Sequence, residues 1–407
     1  MRRIKFFTLG CKANQYDTQS IRERFLSRGF TESVGRSPAE YYLVNTCTVT
    51  SGADQKSRNI IRRCIQANPK GLVIVTGCMA ENDWRSLSGI RGIGMVVRKC
   101  FFPEGISGFK GRTRAFLKIQ DGCDNFCSYC KVALVRGGRR SKDIVQTIEE
   151  AKKLVAGGFK EIVLTGICLG AYGKDLYRKR MLPEVIRRLE RIEGLSRIRL
   201  SSIEAGDVSR ELIRYMSSSK KLCRHLHIPI QSGDDAVLKR MNRKYASRDY
   251  LDLIREIKRN VPDISVTTDC LVGFPGETEE EFENTVRLVK EILPLAVHIF
   301  PYSSRPGTRA AAFGDTVDPA QIKARCAALK KVSLECRDRF MKRFLGKEVP
   351  VLVEGACRDE ESYSEGLTDN YLKVNLLSRA GISNTIVRAV LKKASGGTFI
   401  GEYIDNI

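Results

Sequence analysis

Short apolar runs alternating with helix-period segments constrain this chain more than any other feature. Residues 4–9, 41–44 and 72–75 are four to six residues long and rich in β-branched or aromatic side chains. Each is followed by a small residue, the pattern of a buried parallel strand. Between them Ile21, Phe25 and Leu26, then Ile60, Ile61 and Ile65, recur at helical spacing. The order β-α-β-α-β predicts an open parallel α/β domain. Each run stops at a cysteine: Cys11, Cys47 and Cys78. Strand carboxyl ends of such a sheet face one crevice, so these three cysteines can converge although they lie far apart in sequence.

A Gly- and Arg-rich joint at 105–114 precedes a second series of strand-like runs at 115–120, 161–165, 197–203, 225–230, 265–272 and 297–302. Helical segments at 144–156, 182–192, 250–260 and 279–292 separate them. Six β-α units of roughly 35 residues predict a partial (β/α)6 barrel, whose chemistry gathers at strand carboxyl ends. Those ends carry Asp121-Gly122-Cys123, Thr165-Gly166, Ser202-Ile203-Glu204, Gln231-Ser232, Asp269 and Tyr302-Ser303. A helical stretch at 319–344 leads to runs at 349–354, 371–377, 385–391 and 398–404, which read as a small antiparallel β-barrel. The expected domains are therefore 1–110, 111–342 and 343–407.

At 42% hydrophobic and 29% charged residues the chain is globular rather than disordered. No apolar run approaches the ~20 residues of a membrane-spanning helix. The stretch after Met1-Arg2-Arg3 is broken by Lys5 and is too short for a signal peptide, so a cytoplasmic location without membrane contact is expected. Lys and Arg number 70 against 47 acids, a net charge of +23. The excess is +10 in residues 1–110 and +14 in 111–342, while 343–407 carries −1. Such a surface suits a polyanion, nucleic acid foremost. Fourteen cysteines in that setting point to metal ligation, redox chemistry or burial rather than disulfides.

The densest of these signals is Cys123-x-x-x-Cys127-x-x-Cys130. Three thiolates within one loop leave a metal centre one open position, as a catalytic site requires. Zinc sites usually pair two CxxC hairpins or add His, and the three histidines, His225, His227 and His298, are far along the chain. An iron–sulfur cluster with one free iron fits better. The reading of another class is a zinc-stabilised RNA-binding protein with both cysteine trios structural.

The Cys123 triad at the end of the first barrel strand, with Tyr129 between its second and third cysteines, resembles radical S-adenosylmethionine (SAM) enzymes. Over nearly its whole length the chain resembles the methylthiotransferases, which join a three-cysteine domain, a radical-SAM barrel and a C-terminal TRAM barrel. The matching pieces include Leu9-Gly10-Cys11, Asn45-Thr46-Cys47-Thr48-Val49, Thr76-Gly77-Cys78, His227-Ile228-Pro229-Ile230-Gln231-Ser232-Gly233 and Gly273-Phe274-Pro275-Gly276-Glu277. Cys11-Lys12-x-Asn14-Gln15-Tyr16 is most similar to the MtaB-type branch, which modifies N6-threonylcarbamoyladenosine in tRNA. Ala133, where Pro is common, and the near-neutral tail depart from the family pattern.

The resemblance implies two [4Fe–4S] clusters. Cys123, Cys127 and Cys130 hold the first, which chelates SAM, and Cys11, Cys47 and Cys78 hold the second, which carries the inserted sulfur. The implied product is the 2-methylthio derivative at tRNA position 37, made with electrons from a flavodoxin- or ferredoxin-like partner and sulfur from a donor. Implied SAM contacts are Tyr129, Thr165, Gly166, Ser202, Glu204, Gln231, Ser232, Asp269, Gly273 and Glu277. The alternatives within the family are isopentenyladenosine in tRNA and an aspartate of a ribosomal protein. His227 reads as a packed barrel residue, and Arg136, Arg139 and Arg140 as a phosphate-contacting loop. The remaining cysteines, Cys64, Cys168 and Cys270 among them, read as small buried hydrophobes.

Overall fold

The computed structural model describes residues 2–35, 37–98, 105–357, 360–379 and 381–404. Its first unit runs β1 (Arg3–Thr8), α1 (Lys12–Ser27), β2 (Thr31–Glu32), β3 (Tyr41–Thr46), α2 (Ser51–Ala67), β4 (Leu72–Gly77), α3 (Cys78–Asn82), α4 (Trp84–Ser88) and β5 (Ile93–Val96). The five strands are parallel in the order β2-β1-β3-β4-β5. The winding direction reverses between β1 and β3, and that switch point opens a crevice at the strand carboxyl ends. Val44, Val73 and Val75 are fully buried between the helical layers. The edge strands β2 and β5 escape the sequence reading because they are two and four residues long and only partly buried.

The second unit contains β6 (Arg114–Lys118), a two-residue pairing of β7 (Gln120–Asp121) with β8 (Arg140–Ser141), and α5 (Val132–Arg136) between them. It continues with α6 (Ile144–Ala156), β9 (Glu161–Thr165), α7 (Leu182–Glu190), β10 (Arg197–Leu200), α8 (Arg210–Ser218) and β11 (His225–His227). It ends with α9 (Asp235–Arg240), α10 (Ser247–Asn260), β12 (Ser265–Val272), α11 (Glu279–Ile292) and β13 (Ala296–Pro301). Two parallel three-stranded sheets, β6-β9-β10 and β11-β12-β13, are linked by the bridges Ile198 to Leu222 and Ser202 to His227. The result is an open arc of six parallel strands, the partial (β/α)6 barrel. Two strands stop earlier than expected. β11 ends at His227 because Pro229 has no N–H to offer the ladder, and β10 ends at Leu200, leaving Ser202 as an isolated bridge.

The long helix α12 (Pro319–Lys342) ties this barrel to the third unit. Leu329, Val332 and Cys336 pack into the barrel core, while Phe340 and Met341 enter the next one. There β14 (Glu348–Ala356), β15 (Tyr363–Thr368), β16 (Lys373–Leu377), β17 (Ile386–Ser395) and β18 (Thr398–Tyr403) close a barrel in the order β14-β15-β16-β18-β17. All its pairings are antiparallel except β16 with β18. It seats on the amino ends of the central strands. Arg197 donates to the Leu367 and Pro350 carbonyls at 2.8 Å, and Arg199 to those of Asp369 and Thr368 at 2.8 and 3.0 Å. The near-neutral tail thus meets the basic barrel through backbone carbonyls. Among the described residues no helix is long and apolar enough to cross a membrane.

Candidate active site

Cys11 precedes α1, Cys47 follows β3 and Cys78 opens α3, all at the carboxyl edge of the first sheet. The three line one cavity of ≈ 710 Å³. Gly10 has φ +96°, and a Cβ there would lie 3.0 Å from the Cys47 sulfur, so only glycine lets the Cys11 loop close onto Cys47. Asn14 ties the three loops together. Its Nδ2 donates to the Leu9 carbonyl at 2.8 Å and the Thr46 carbonyl at 2.9 Å, and its Oδ1 stands 4.0 Å from Cys78 Sγ. The same Oδ1 accepts from Arg136 Nη2 at 2.6 Å, while Arg136 Nη1 pairs with Asp121 at 2.7 Å. Burial pushes the Cys47 thiol up to about 11, with Cys78 and Cys11 adding to the effect. Burial opposes the charge of Arg136, but Cys78 and Asp121 beside it keep the guanidinium cationic. A cation is therefore fixed where thiolates would gather.

The second trio sits in the loop after β7. Gly122 has φ +71°, and a Cβ there would come within 2.0 Å of the Gly138 carbonyl oxygen. That close approach folds the loop back, so Cys123 N donates to the Gly137 carbonyl at 3.1 Å. Ser128 N donates to the Met241 carbonyl and Ser128 Oγ to that of Arg240, at 3.0 and 2.8 Å, which fastens the loop to the end of α9. Arg243 Nη1 lies 3.4 Å from Cys127 Sγ, and the guanidinium also pairs with Glu204 and Tyr245. Burial raises the Cys130 thiol to about 12, with Cys127 next in effect.

Cys168 corrects the sequence reading. It is buried, yet its Sγ is 3.5 Å from Asp207 Oδ2 and hydrogen-bonded to Cys123, which pulls the Cys123 thiol down. It stands beside the loop of Cys123 rather than in an apolar core, and its N–H donates to Gln120 Oε1 at 2.6 Å. Cys64 and Cys270 are buried, and Cys100 lies outside the described residues.

Cys11, Cys47 and Cys78 line the larger cavity, and Cys127 of the second trio lines a different one. Cys127 borders a smaller cavity with Glu204, Arg243 and Tyr245. The segment after Cys130, from Lys131 to Arg136, forms the wall of the larger one. Thr165, Gly166, Ser202 and Asp269 line the larger cavity, and Glu204 the smaller. Tyr129 is packed in an apolar cluster against Phe274. Gln231, Ser232, Gly273 and Glu277 line neither cavity. The Ser232 hydroxyl is engaged by Thr285 at 3.2 Å. Glu277 accepts from Gly273 N at 2.8 Å and pairs with Arg325 of α12 at 3.0 Å.

His227 is likewise not a plain packing residue. Its Nε2 lies 3.1 Å from Asp269 Oδ1, and its Nδ1 is 2.9 Å from Thr267 Oγ1. Thr267 Oγ1 also meets His225 Nε2 at 2.9 Å, and His225 Nδ1 is buried without a partner among the described residues. With His227 donating from Nε2 to Asp269, each proton in this row has one acceptor. Ligand atoms of His227, Asp269 and His298 lie within 4.8 Å of one another. The register pairs His227 with Thr267 and Asp269 with His298, so inward positions two apart on neighbouring strands carry the signal. At the far end, Tyr371 of the third unit stacks on His225 with ring centroids 4.3 Å apart.

Comparison with known proteins decides what this architecture is. The Radical SAM superfamily matches residues 117–289, and a family described as "Uncharacterized protein family UPF0004" matches residues 3–97. The threonylcarbamoyladenosine tRNA methylthiotransferase MtaB of Bacillus subtilis is 37% identical over 99% of this chain and 97% of its own length. This chain belongs to the MtaB-type radical SAM methylthiotransferases. The family member from Thermotoga maritima is 37% identical over 87% of both chains. A tRNA-2-methylthio-N(6)-dimethylallyladenosine synthase of Clostridium botulinum is 32% identical over 98% of this chain and 96% of its own. Among solved structures, the radical SAM methyltransferase TsrM from Kitasatospora setae, with cobalamin and a [4Fe–4S] cluster bound, shares the fold. It does so at TM-score 0.55 and 14% identity, covering 76% of this chain and 77% of that one. Enzymes of this MtaB-type family use SAM and [4Fe–4S] clusters.

Proposed function

We propose that this protein converts N6-threonylcarbamoyladenosine at tRNA position 37 to its 2-methylthio derivative, with units 1–110, 111–342 and 343–407 working as one body. The observation that carries the reading is the pair of three-thiol sets, each beside a buried arginine: Arg136 by Cys11 and Cys78, Arg243 by Cys127. Three thiols without a histidine among them suit an iron–sulfur cube with an open iron better than tetrahedral zinc. Cys123, Cys127 and Cys130 would hold the cluster that binds SAM, and Cys11, Cys47 and Cys78 the one that carries sulfur. When bound, these groups supply a 5′-deoxyadenosyl radical, for hydrogen abstraction from the adenine, and the sulfur and methyl group.

The chain's own residues orient and enclose that chemistry. Arg136 and Arg243 offset the charge of gathered thiolates in a site where burial alone would keep the thiols protonated. Thr165, Gly166, Ser202 and Asp269 present hydrogen-bonding groups at the strand ends, where SAM or the base can be held. Tyr371 of the third unit, stacked on His225, lines the same cavity. The basic first two units would draw tRNA in through its phosphates. A low-potential flavodoxin or ferredoxin and a sulfur donor complete the reaction, in the cytoplasm.

Mass spectrometry of tRNA nucleosides tests the reading. Cells lacking the protein should accumulate threonylcarbamoyladenosine and lose only its 2-methylthio form. Loss of methylthiolated isopentenyladenosine instead would overturn it.

A further inference from the structure

The larger cavity carries more positive charge than the protein balances. Lys12, Arg112, Arg114, Lys131, Arg136 and Arg199 line it against one carboxylate, Asp269. Arg114, Arg136 and Arg199 are paired with Glu354, Asp121 and Glu161. Asp269 is held by His227, and Arg112 lies over the Phe116 ring and donates to the neutral Gln15 amide oxygen at 3.0 Å, with no ion pair to a described residue.

Lys12, on the first turn of α1, is exposed, and its side chain makes no ion pair or hydrogen bond with any described residue. His298, on β13, lines the same cavity, and its side chain makes no hydrogen bond with a described residue; its ring is 5.5 Å from that of His227. Lys12 is close enough to add, after burial and nearer charges, to what holds His298 and His225 below the usual imidazole range.

A cation facing a substrate cavity is desolvated by whatever fills it. An apolar arm on the adenine would leave the ammonium unpaired, whereas a carboxylate would form a charge-assisted hydrogen bond. Ligand atoms of Asp269 and His298 lie within 4.8 Å of each other, so an acid end resting on His298 needs the Lys12 charge to offset the repulsion from Asp269. Hydroxyl or urea N–H groups can then face Asp269.

We infer that Lys12 and His298 form the subsite for the carboxylate of an amino-acid-derived arm on N6 of the substrate adenine. The inference rests on the proposed function and names the groups that select this nucleoside over one with an apolar arm.

The test compares the anaerobically reconstituted protein with its Lys12→Met and His298→Ala variants. Their affinities are measured for two anticodon stem-loop RNAs, one bearing threonylcarbamoyladenosine and one the threoninol analogue, whose carboxylate is replaced by hydroxymethyl. The unsubstituted protein should bind the acid about tenfold more tightly, equivalent to about 1.4 kcal/mol. Lys12→Met should bring the ratio within about twofold by weakening the acid alone, and His298→Ala should lower it part-way. A ratio kept by Lys12→Met, or equal binding of both RNAs by the unsubstituted protein, overturns the subsite. Product formation by the unsubstituted protein is scored separately. If it methylthiolates the threonylcarbamoyl RNA while Lys12→Met keeps the ratio, the subsite is wrong and the proposed function stands. If it modifies an isopentenyl RNA instead, both fall.

Discussion

Asn14 and Arg243 do at single positions what a cysteine count cannot reveal. Asn14 joins the loops of Cys11, Cys47 and Cys78 by side-chain hydrogen bonds to two carbonyls. Asn14→Leu leaves both acceptors buried and unpaired, destabilising the first unit by about 2 kcal/mol. Iron content should fall toward half while SAM cleavage persists, which iron assay and 5′-deoxyadenosine release together check. Arg243 is almost fully buried against Glu204 and Cys127. Arg243→Met should lower chemical stability by about 3 kcal/mol, because it strands a carboxylate. SAM affinity should weaken by about tenfold, as read by equilibrium dialysis. Both residues were missed by sequence reasoning for different reasons. Asn14 sits inside a motif quoted for its resemblance, without a role. Arg243, within Arg243-Lys244, is indistinguishable from a solvated basic loop until α9 ends beside the cysteine loop.

At the scale of elements, the strands themselves were legible and their pairing was not. The apolar runs located β1, β3, β4 and the six barrel strands, since burial on both faces demands continuous hydrophobicity. The union of His227 with Asp269 depends on register between β11 and β12, which no local pattern encodes. The docking of the third unit is equally non-local. Glu161, at the start of β9, is buried, which raises its pKa, but Arg199 and Arg114 outweigh burial and hold it below the usual carboxylate range. Its folded pKa is thus depressed, so its contribution is present above the unfolded value of about 4.3 and lost as pH falls through the lower folded value. Acidification below about pH 4 should therefore loosen the Arg199 grip on the Thr368 and Asp369 carbonyls, seen as faster proteolysis within 343–407. Glu161→Gln should produce the same sensitivity at neutral pH.

Across the whole molecule, the first unit and the central barrel are locked by a polar seam. Tyr16 donates to Glu150 at 2.6 Å, Lys142 donates to Tyr16 at 2.8 Å, Lys118 pairs with Asp17, and Arg305 reaches Thr48 at 3.0 Å and Asp54. Tyr16 belongs to the core of the barrel although its chain position is in the first unit. That seam fixes Cys11, Cys47 and Cys78 against the wall built by the segment after Cys130. In the proposed function each trio would hold its own cluster. The decisive measurement is the iron and sulfide content of an anaerobically reconstituted variant with Cys11, Cys47 and Cys78 all changed to alanine. Half the metal and sulfide of the unsubstituted protein is predicted; an undiminished content, or none at all, would contradict two independent centres.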